Sequence, residues 1–171
     1  MSSSPESPTL PYRRNAGAAL FNRAGLVFVG RRADLPRAQA AAGGWQLPQG
    51  GIDDGEEPRV AVRRELAEEI GTERFRIVGE HPEWLSYDLP AELVGAALRG
   101  RYRGQIQRWF ALRFLGTDAE IRLDRDAHPE FDAWRWVALA ELPALAVGFK
   151  RAIYETLARS FARFAAPEDG G

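Results

Sequence analysis

The chain contains no cysteine. Disulfides, zinc–thiolate centres and cysteine nucleophiles are excluded outright. Lysine is nearly missing too, since Lys150 is the only one in the chain and the other basic residues are arginine. The two histidines, His81 and His128, are isolated, lack metal-ligand spacing and are assigned no role. No apolar run approaches membrane-spanning length. The Ser/Pro-rich segment Met1–Pro11 lacks the basic start and apolar core of a signal peptide, so a soluble cytoplasmic protein is expected. An excess of one charge is also absent: 23 basic and 24 acidic residues leave a net charge of −1. There is then no global pull toward nucleic acid or anionic membrane, so no membrane contact and no stable nucleic-acid complex are expected. Any phosphate binding must come from local arginines.

What is present suffices for one domain. The 171 residues are 45% hydrophobic, enough for a sizeable core. Met1–Pro11 and Ala165–Gly171 read as disordered tails flanking a single domain over 12–164. Strands are expected at Ala16–Asn22 and Leu26–Arg31 around a tight turn, then at Trp45–Leu47 after an Ala/Gly/Pro loop over 33–44. Further strands are expected at Phe75–Val78, Glu83–Asp88, Gln105–Leu115 and Ala133–Val137, the last with Trp134 and Trp136 on one face by alternation. Pro90–Leu98 reads as a loop with some helical character. A short helix is expected at Leu139–Leu145. A longer one follows over Gly148–Ala165, with Ile153, Leu157, Phe161 and Phe164 as its apolar stripe. Strands interleaved with two substantial helices imply an α/β sandwich, a sheet covered on both faces.

The stretch from Gly50 to Thr72 organises the rest. It opens as a glycine-rich acidic loop and continues as a helix, with Pro58 in the first turn and Gly71 as the stop. Val62, Leu66 and Ile70 form its buried stripe. Glu65, Glu68 and Glu69 fall at i, i+3 and i+4, so their carboxylates gather on another face. Like charges at that spacing weaken a helix, and divalent cations would offset the repulsion. An all-oxygen set of this kind suits Mg²⁺ or Mn²⁺.

The pattern Gly50-x5-Glu56-x7-Arg64-Glu65-Leu66-x-Glu68-Glu69-x-Gly71 resembles the signature box of the Nudix hydrolases at every fixed polar and glycine position. Thr72, where the family usually has an aliphatic residue, departs at the helix exit. Four further motifs surround the box: Trp45–Gly51, Trp84-Leu85-x-Tyr87-x-Leu89-Pro90, Gly104-Gln105-x-Gln107-Arg108-Trp109-Phe110 and Pro129-Glu130-Phe131-Asp132-x-Trp134-Arg135-Trp136. With Val147-x-Phe149-Lys150-Arg151 they resemble the bacterial branch that hydrolyses RNA 5′ ends and dinucleoside polyphosphates. The resemblance spans about Tyr12 to Phe164 and implies a Nudix-type α/β/α sandwich with a mixed curved sheet. Arg14, where the branch often has proline, and the Ala-rich stretch Asp34–Gly44 depart from it, and both would line the mouth of the site.

By this resemblance the catalytic set is Glu69, Glu65, Glu130 and Arg64. Metal ligation falls to Glu65, Glu69, Glu68, Glu130 and the main-chain carbonyl of Gln49 or Gly50. Arg64 would pair with Glu56 and hold the loop to the helix. Arg13, Arg31, Arg32, Gln105 and Lys150 would hold the phosphate chain and nucleotide, arginine by bidentate forks and lysine as a point charge. Tyr87 and Phe149 would stack a base, with core packing the competing role for each. Asp53, Asp54 and Glu57 read as favourable charges near the helix start. Trp45, Trp109, Trp134 and Trp136 read as core.

The implied function is metal-dependent hydrolysis of a pyrophosphate link. The substrate is either a tri- or diphosphorylated RNA 5′ end or a dinucleoside polyphosphate such as diadenosine tetraphosphate. Two alternatives stand beside it: a non-catalytic nucleotide sensor, and a nucleotide-sanitising or sugar-nucleotide hydrolase.

Overall fold

The computed structural model describes residues 10–34, 44–94, 100–125, 127–146 and 148–168. Its frame is a mixed sheet of eight strands: β1 (Tyr12–Phe21), β2 (Val27–Arg32), β3 (Trp45–Gln46), β4 (Gln49–Gly51), β5 (Phe75–Glu80), β6 (Leu85–Asp88), β7 (Gly104–Phe114) and β8 (Phe131–Val137). The main path runs β3-β2-β1-β7-β5, while β4 pairs with β1, β6 with β7 and β8 with β2. Among the described residues only the β1–β7 ladder is parallel, in register from Tyr12 opposite Gly104 to Phe21 opposite Arg113. Helices α1 (Pro58–Ile70), α2 (Leu142–Leu145) and α3 (Arg151–Ser160) complete the described chain.

Strand alternation divides the interior into two cores. From β1, Ala16, Ala18 and Leu20 join Ala61, Val62, Leu66 and Ile70 of α1 on one face. Ala19 and Phe21 join Leu142, Ile153, Tyr154, Leu157 and Phe161 of the α2–α3 side on the other. The sheet is thus covered on both faces, as expected. All four tryptophans expected in the core pack there: Trp109 is fully buried, and Trp45, Trp134 and Trp136 pack on the core margins. Trp134 stacks on Phe28 and meets Trp136 edge-on, which puts both indoles on one face.

Helix α1 starts at Pro58 and stops at Gly71, whose φ of 74° is left-handed and whose N–H donates to the Ala67 carbonyl at 2.9 Å. The Thr72 hydroxyl accepts from the Arg74 N–H beyond this stop and stays at the helix exit.

Several boundaries differ from expectation, four of them for a clear tertiary reason. β1 begins four residues early because Tyr12–Asn15, too polar to read as a core strand, pairs along β7. β4 is a strand only because Asn15–Gly17 supplies its partner. The segment 148–165 is not one helix: 3₁₀ turns at 148–150 and 162–165 flank α3. At Phe161, φ −103° and ψ 11° leave the helix, so Phe161 and Phe164 both reach the core beside Phe21. Lastly, residues 165–168 are docked rather than frayed. The Glu168 N–H donates to the Arg23 carbonyl at 2.9 Å and its carboxylate meets the buried Arg113 at 3.1 Å. Residues 1–9, 169–171 and most of the Ala-rich stretch, 35–43, lie outside the described residues, as do 95–98 of the Pro90–Leu98 loop.

Gly30 tests the packing. A Cβ there would lie 2.4 Å from the ring of Phe131, which is itself buried. Gly30→Ala should destabilise by about 1–3 kcal/mol through overpacking. Gly148→Ala, which meets open space, should leave thermal stability unchanged. Equal melting temperatures for the two variants would contradict this packing.

Candidate active site

The cleft opens where β1, β4, β6 and β7 meet the polar edge of α1. Its volume is 500 Å³, and Glu65, Glu69, Glu130, Gln49, Arg13, Arg32, Tyr87, Gln105, Phe149 and Lys150 all line it. Most of the residues singled out from sequence therefore come together. Three do not. Arg31 turns outward to Asp132 at 2.7 Å, Glu68 is exposed and lines a neighbouring depression, and Arg64 lies outside the cleft lining, bound to Glu56 and Glu65. Arg31 is one residue from Arg32 on β2, and Glu68 is one step round the helix from Glu69.

The carboxylates are crowded. A Cβ on Gly50 would fall 2.1 Å from the Glu65 carboxyl carbon, so only glycine lets the loop approach α1 this closely. Burial raises the pKa of Glu65, opposed by its hydrogen bond from Arg64. Glu69 is pushed well above the usual carboxylate range, first by burial and then by the charges of Glu130, Glu65 and Glu68. Its Oε2 is shielded from solvent and accepts no hydrogen bond. A buried, orphaned carboxylate oxygen beside three other carboxylates is the environment that a hard divalent cation relieves, and the donors are all oxygen. The donor set fits the metal in chemistry. It is not gathered into a cage, since no group of three acidic side chains among the described residues converges enough to hold an ion. Glu65 leans instead on Arg64, at 2.9 Å.

Arg64 is a strut, as expected. Its guanidinium donates to Glu56 at 2.8 and 2.9 Å, to Glu65 at 2.9 Å and to the Gly51 carbonyl at 3.2 Å. The acidic loop is thereby tied to the helix that carries the glutamates. Asp53 joins the same guanidinium at 3.6 Å, while Glu57 occupies the cap position without a side-chain cap bond.

The opposite wall is cationic and aromatic. Burial, aided by the Arg32 charge, lowers the Lys150 pKa to about 8, while Glu130 acts the other way. Its ammonium sits 5.5 Å from the centre of the Tyr87 ring. Tyr87 is buried, with its pKa pushed up to about 12, and its ring meets Phe149 at 5.4 Å. Tyr87 is thus a floor for the half-buried Phe149. Arg32 is shared with Asp34 at 2.7 Å.

Sequence reasoning missed the floor's amide network. Gln107 Nε2 donates to Asn15 and to Gln105, each at 3.2 Å, and makes a short contact with Gln49. Gln107 Oε1 accepts from the Trp109 indole at 3.1 Å. Asn15, Gln105 and Gln107 are all buried. Alternating amides at Gln105 and Gln107 before an apolar run were the available signal. Of the histidines, His81 bonds Ser160 at 2.7 Å, away from the cleft.

The strut carries a pH signature. The Arg64 hydrogen bonds, then the Asp53 N–H, hold the Glu56 carboxyl near about 2, below its ordinary 4.5. A carboxylate depressed in this way stabilises the fold above its ordinary pKa and loses that contribution as pH falls toward 2. Glu56→Gln should therefore cost stability at neutral pH, and denaturant titrations should show the gap closing below pH 4.5. A gap that does not change with pH would count against the strut.

The comparisons with known proteins agree with this geometry. A NUDIX domain model matches residues 11–157. The chain is 66% identical to an RNA pyrophosphohydrolase of Acidiphilium cryptum, over 91% of this chain and 93% of that one. It is 60% identical to an RNA pyrophosphohydrolase of Gluconacetobacter diazotrophicus, over 95% and 98%. Among solved structures, a binary complex of the C. elegans Ap4A hydrolase superposes with a TM-score of 0.60 at 19% identity, covering 88% of this chain and 96% of that one. At that identity the likeness speaks for the fold alone. A sheet between helices, a glutamate-bearing helix tied to a glycine loop, and relatives aligned over nearly their whole length place this chain in the Nudix hydrolase family.

Proposed function

We propose that this chain is a pyrophosphohydrolase that trims the 5′ phosphates of RNA, leaving a 5′-monophosphate end. The observation that carries the reading is the pairing, across one cleft, of the crowded carboxylates of α1 with Arg13, Arg32 and Lys150. The two relatives at 60% and 66% identity favour RNA ends over dinucleoside polyphosphates as substrate. A sensor is disfavoured because every glutamate of the box is present and the cleft is open. A sanitising role is disfavoured because both high-identity relatives are RNA pyrophosphohydrolases.

The reaction adds water across a P–O–P link. The water oxygen bonds to phosphorus, the bridging P–O bond breaks, and phosphate or pyrophosphate leaves with the bond's electron pair. Glu65, Glu69 and Glu130, with Glu68 at the rim and the Gln49 carbonyl as a further oxygen, would hold Mg²⁺ or Mn²⁺. Divalent ions are a general requirement in Nudix hydrolases, and when bound they neutralise phosphate charge and acidify water. The chain's own residues do the rest. Arg13 and Arg32 grip non-bridging oxygens, and Lys150 places a charge opposite them. Tyr87 and Phe149 shape the base platform. Glu130, projecting from just before β8, faces Glu69 and is placed to accept the proton of the attacking water. Such chemistry belongs in the cytoplasm, where RNA ends are exposed, and among the described residues no helix is long and apolar enough to cross a membrane.

Glu69→Gln and Glu65→Gln should each lower turnover about 10²–10⁴-fold while leaving the melting temperature near or above that of the unsubstituted protein. Rates on a triphosphorylated oligonucleotide, its diphosphorylated form and diadenosine tetraphosphate, each with Mg²⁺ and then Mn²⁺, should favour the oligonucleotides. Near-normal turnover in both variants would remove the site assignment, and a preference for diadenosine tetraphosphate would remove the RNA reading.

A further inference from the structure

A groove of 740 Å³, larger than the catalytic cleft, adjoins it and shares Arg13 and Gly51 with it. Those shared residues join the two spaces: a Cβ on Gly51 would sit 2.5 Å from an Arg13 guanidinium nitrogen, so the side chain lies flat along the glycine at their common lip. The groove continues past Arg14, Arg101, Tyr12 and Tyr102. Arg14 lines this groove and not the cleft, whereas Arg13 lines both. Arg14 is also one of the positions at which the sequence departs from its branch.

The chemistry of this lining is specific. Half of the described arginines are bound to carboxylates, such as Arg31, Arg64 and Arg108. Arg13, Arg14 and Arg101 have no carboxylate within ion-pair distance among the described residues. Arg14 lies over the Trp84 ring at 5.2 Å, which fixes the guanidinium plane while leaving its N–H groups free to donate. Tyr12 is anchored by its hydroxyl to Asp88 and covered by Arg103 at 4.7 Å, so it forms a rigid wall. Of the two aspartates on the far lip, Asp53 is already engaged by Arg64 at 3.6 Å. The balance along the groove is cationic, although the whole chain is nearly neutral.

Unpaired guanidinia interleaved with aromatic rings along a trough are what a single-stranded nucleic acid needs, with charge for each phosphate and a ring face for each base. A dinucleoside polyphosphate ends at its second nucleoside and has no further phosphodiesters to present. We propose that this groove is the track for the nucleotides downstream of the RNA 5′ end, entered past Arg13 and continued by Arg14, Arg101 and Tyr102. The proposal rests on the RNA-end reading given above, and it adds a dependence on RNA length that the cleft alone does not create.

The test compares 5′-triphosphorylated oligonucleotides of two and of eight nucleotides, hydrolysed with Mg²⁺ by the full chain and by the Arg14→Ala/Arg101→Ala double variant. Both arginines are exposed, and a melting curve checks that the variant is folded. The double variant should lose about tenfold in kcat/KM on the octamer and less than twofold on the dinucleotide. Its affinity for a labelled 5′-monophosphorylated octamer should show a salt slope shallower by about 1.4, from two lost single-strand phosphate contacts. Arg14→Lys/Arg101→Lys should restore the slope. Equal losses on the two lengths, or an unchanged octamer and salt slope, would overturn the track while leaving RNA hydrolysis standing. If oligonucleotides of both lengths resist hydrolysis while diadenosine tetraphosphate is cleaved, the RNA-end reading fails and the track falls with it.

Discussion

Everything at this site depends on carboxylates forced closer together than they would choose to stand. Glu65, Glu68 and Glu69 share two turns of one helix, and Glu130 is brought to them from the start of β8. In water such repulsion would be weak, but Glu69 Oε2 is shielded from solvent, where the same charges act through a poorer dielectric. The fold tolerates this because α1 is anchored elsewhere: Val62, Leu66 and Ile70 are buried against the sheet, and Arg64 clamps the preceding loop. Apolar burial on one side of the helix holds in place an electrostatic strain on the other. An ion placed there would relieve repulsion and desolvation together.

The sheet sets where this strain meets its substrate. β1 pairs β2 near Phe21, β4 near Gly17 and β7 along its full length. Its polar start, Arg13 and Asn15, points toward the amides of β7 and the glycines of β4, and its apolar end fills the two cores. One strand thus serves packing at one end and recognition at the other. The buried amides of Asn15, Gln105 and Gln107 satisfy one another, which keeps a polar floor rigid without burying charge.

The helix and its glutamates were legible because their signals are local: proline and glycine at the ends, a four-residue apolar stripe, and fixed spacing in between. The α/β/α layering was legible from the alternation of elements. What escaped was set by distant partners. β4 is three residues of Gln and Gly with no strand propensity, and it exists because Asn15–Gly17 lies beside it. Arg31 and Arg32 were equally good phosphate ligands on paper, and one residue of strand register sends the first to Asp132 and the second to the cleft. Tyr87 and Phe149 could not be told apart as stacking groups until their ring contact showed which one covers the other. The docking of Glu168 was likewise invisible, since it answers the charge of Arg113, a residue far away in the chain.

The parallel ladder between β1 and β7 has a consequence for how the molecule comes into being. Parallel neighbours cannot zip from a hairpin turn, and here roughly ninety residues separate the partners Tyr12 and Gly104. On a ribosome, β1 emerges long before the strand that must flank it, and the last cleft residues follow later still. The acidic helix is therefore exposed for a time with neither its floor nor its cationic wall, a topology that slows folding and delays competence until Phe149 and Lys150 have emerged.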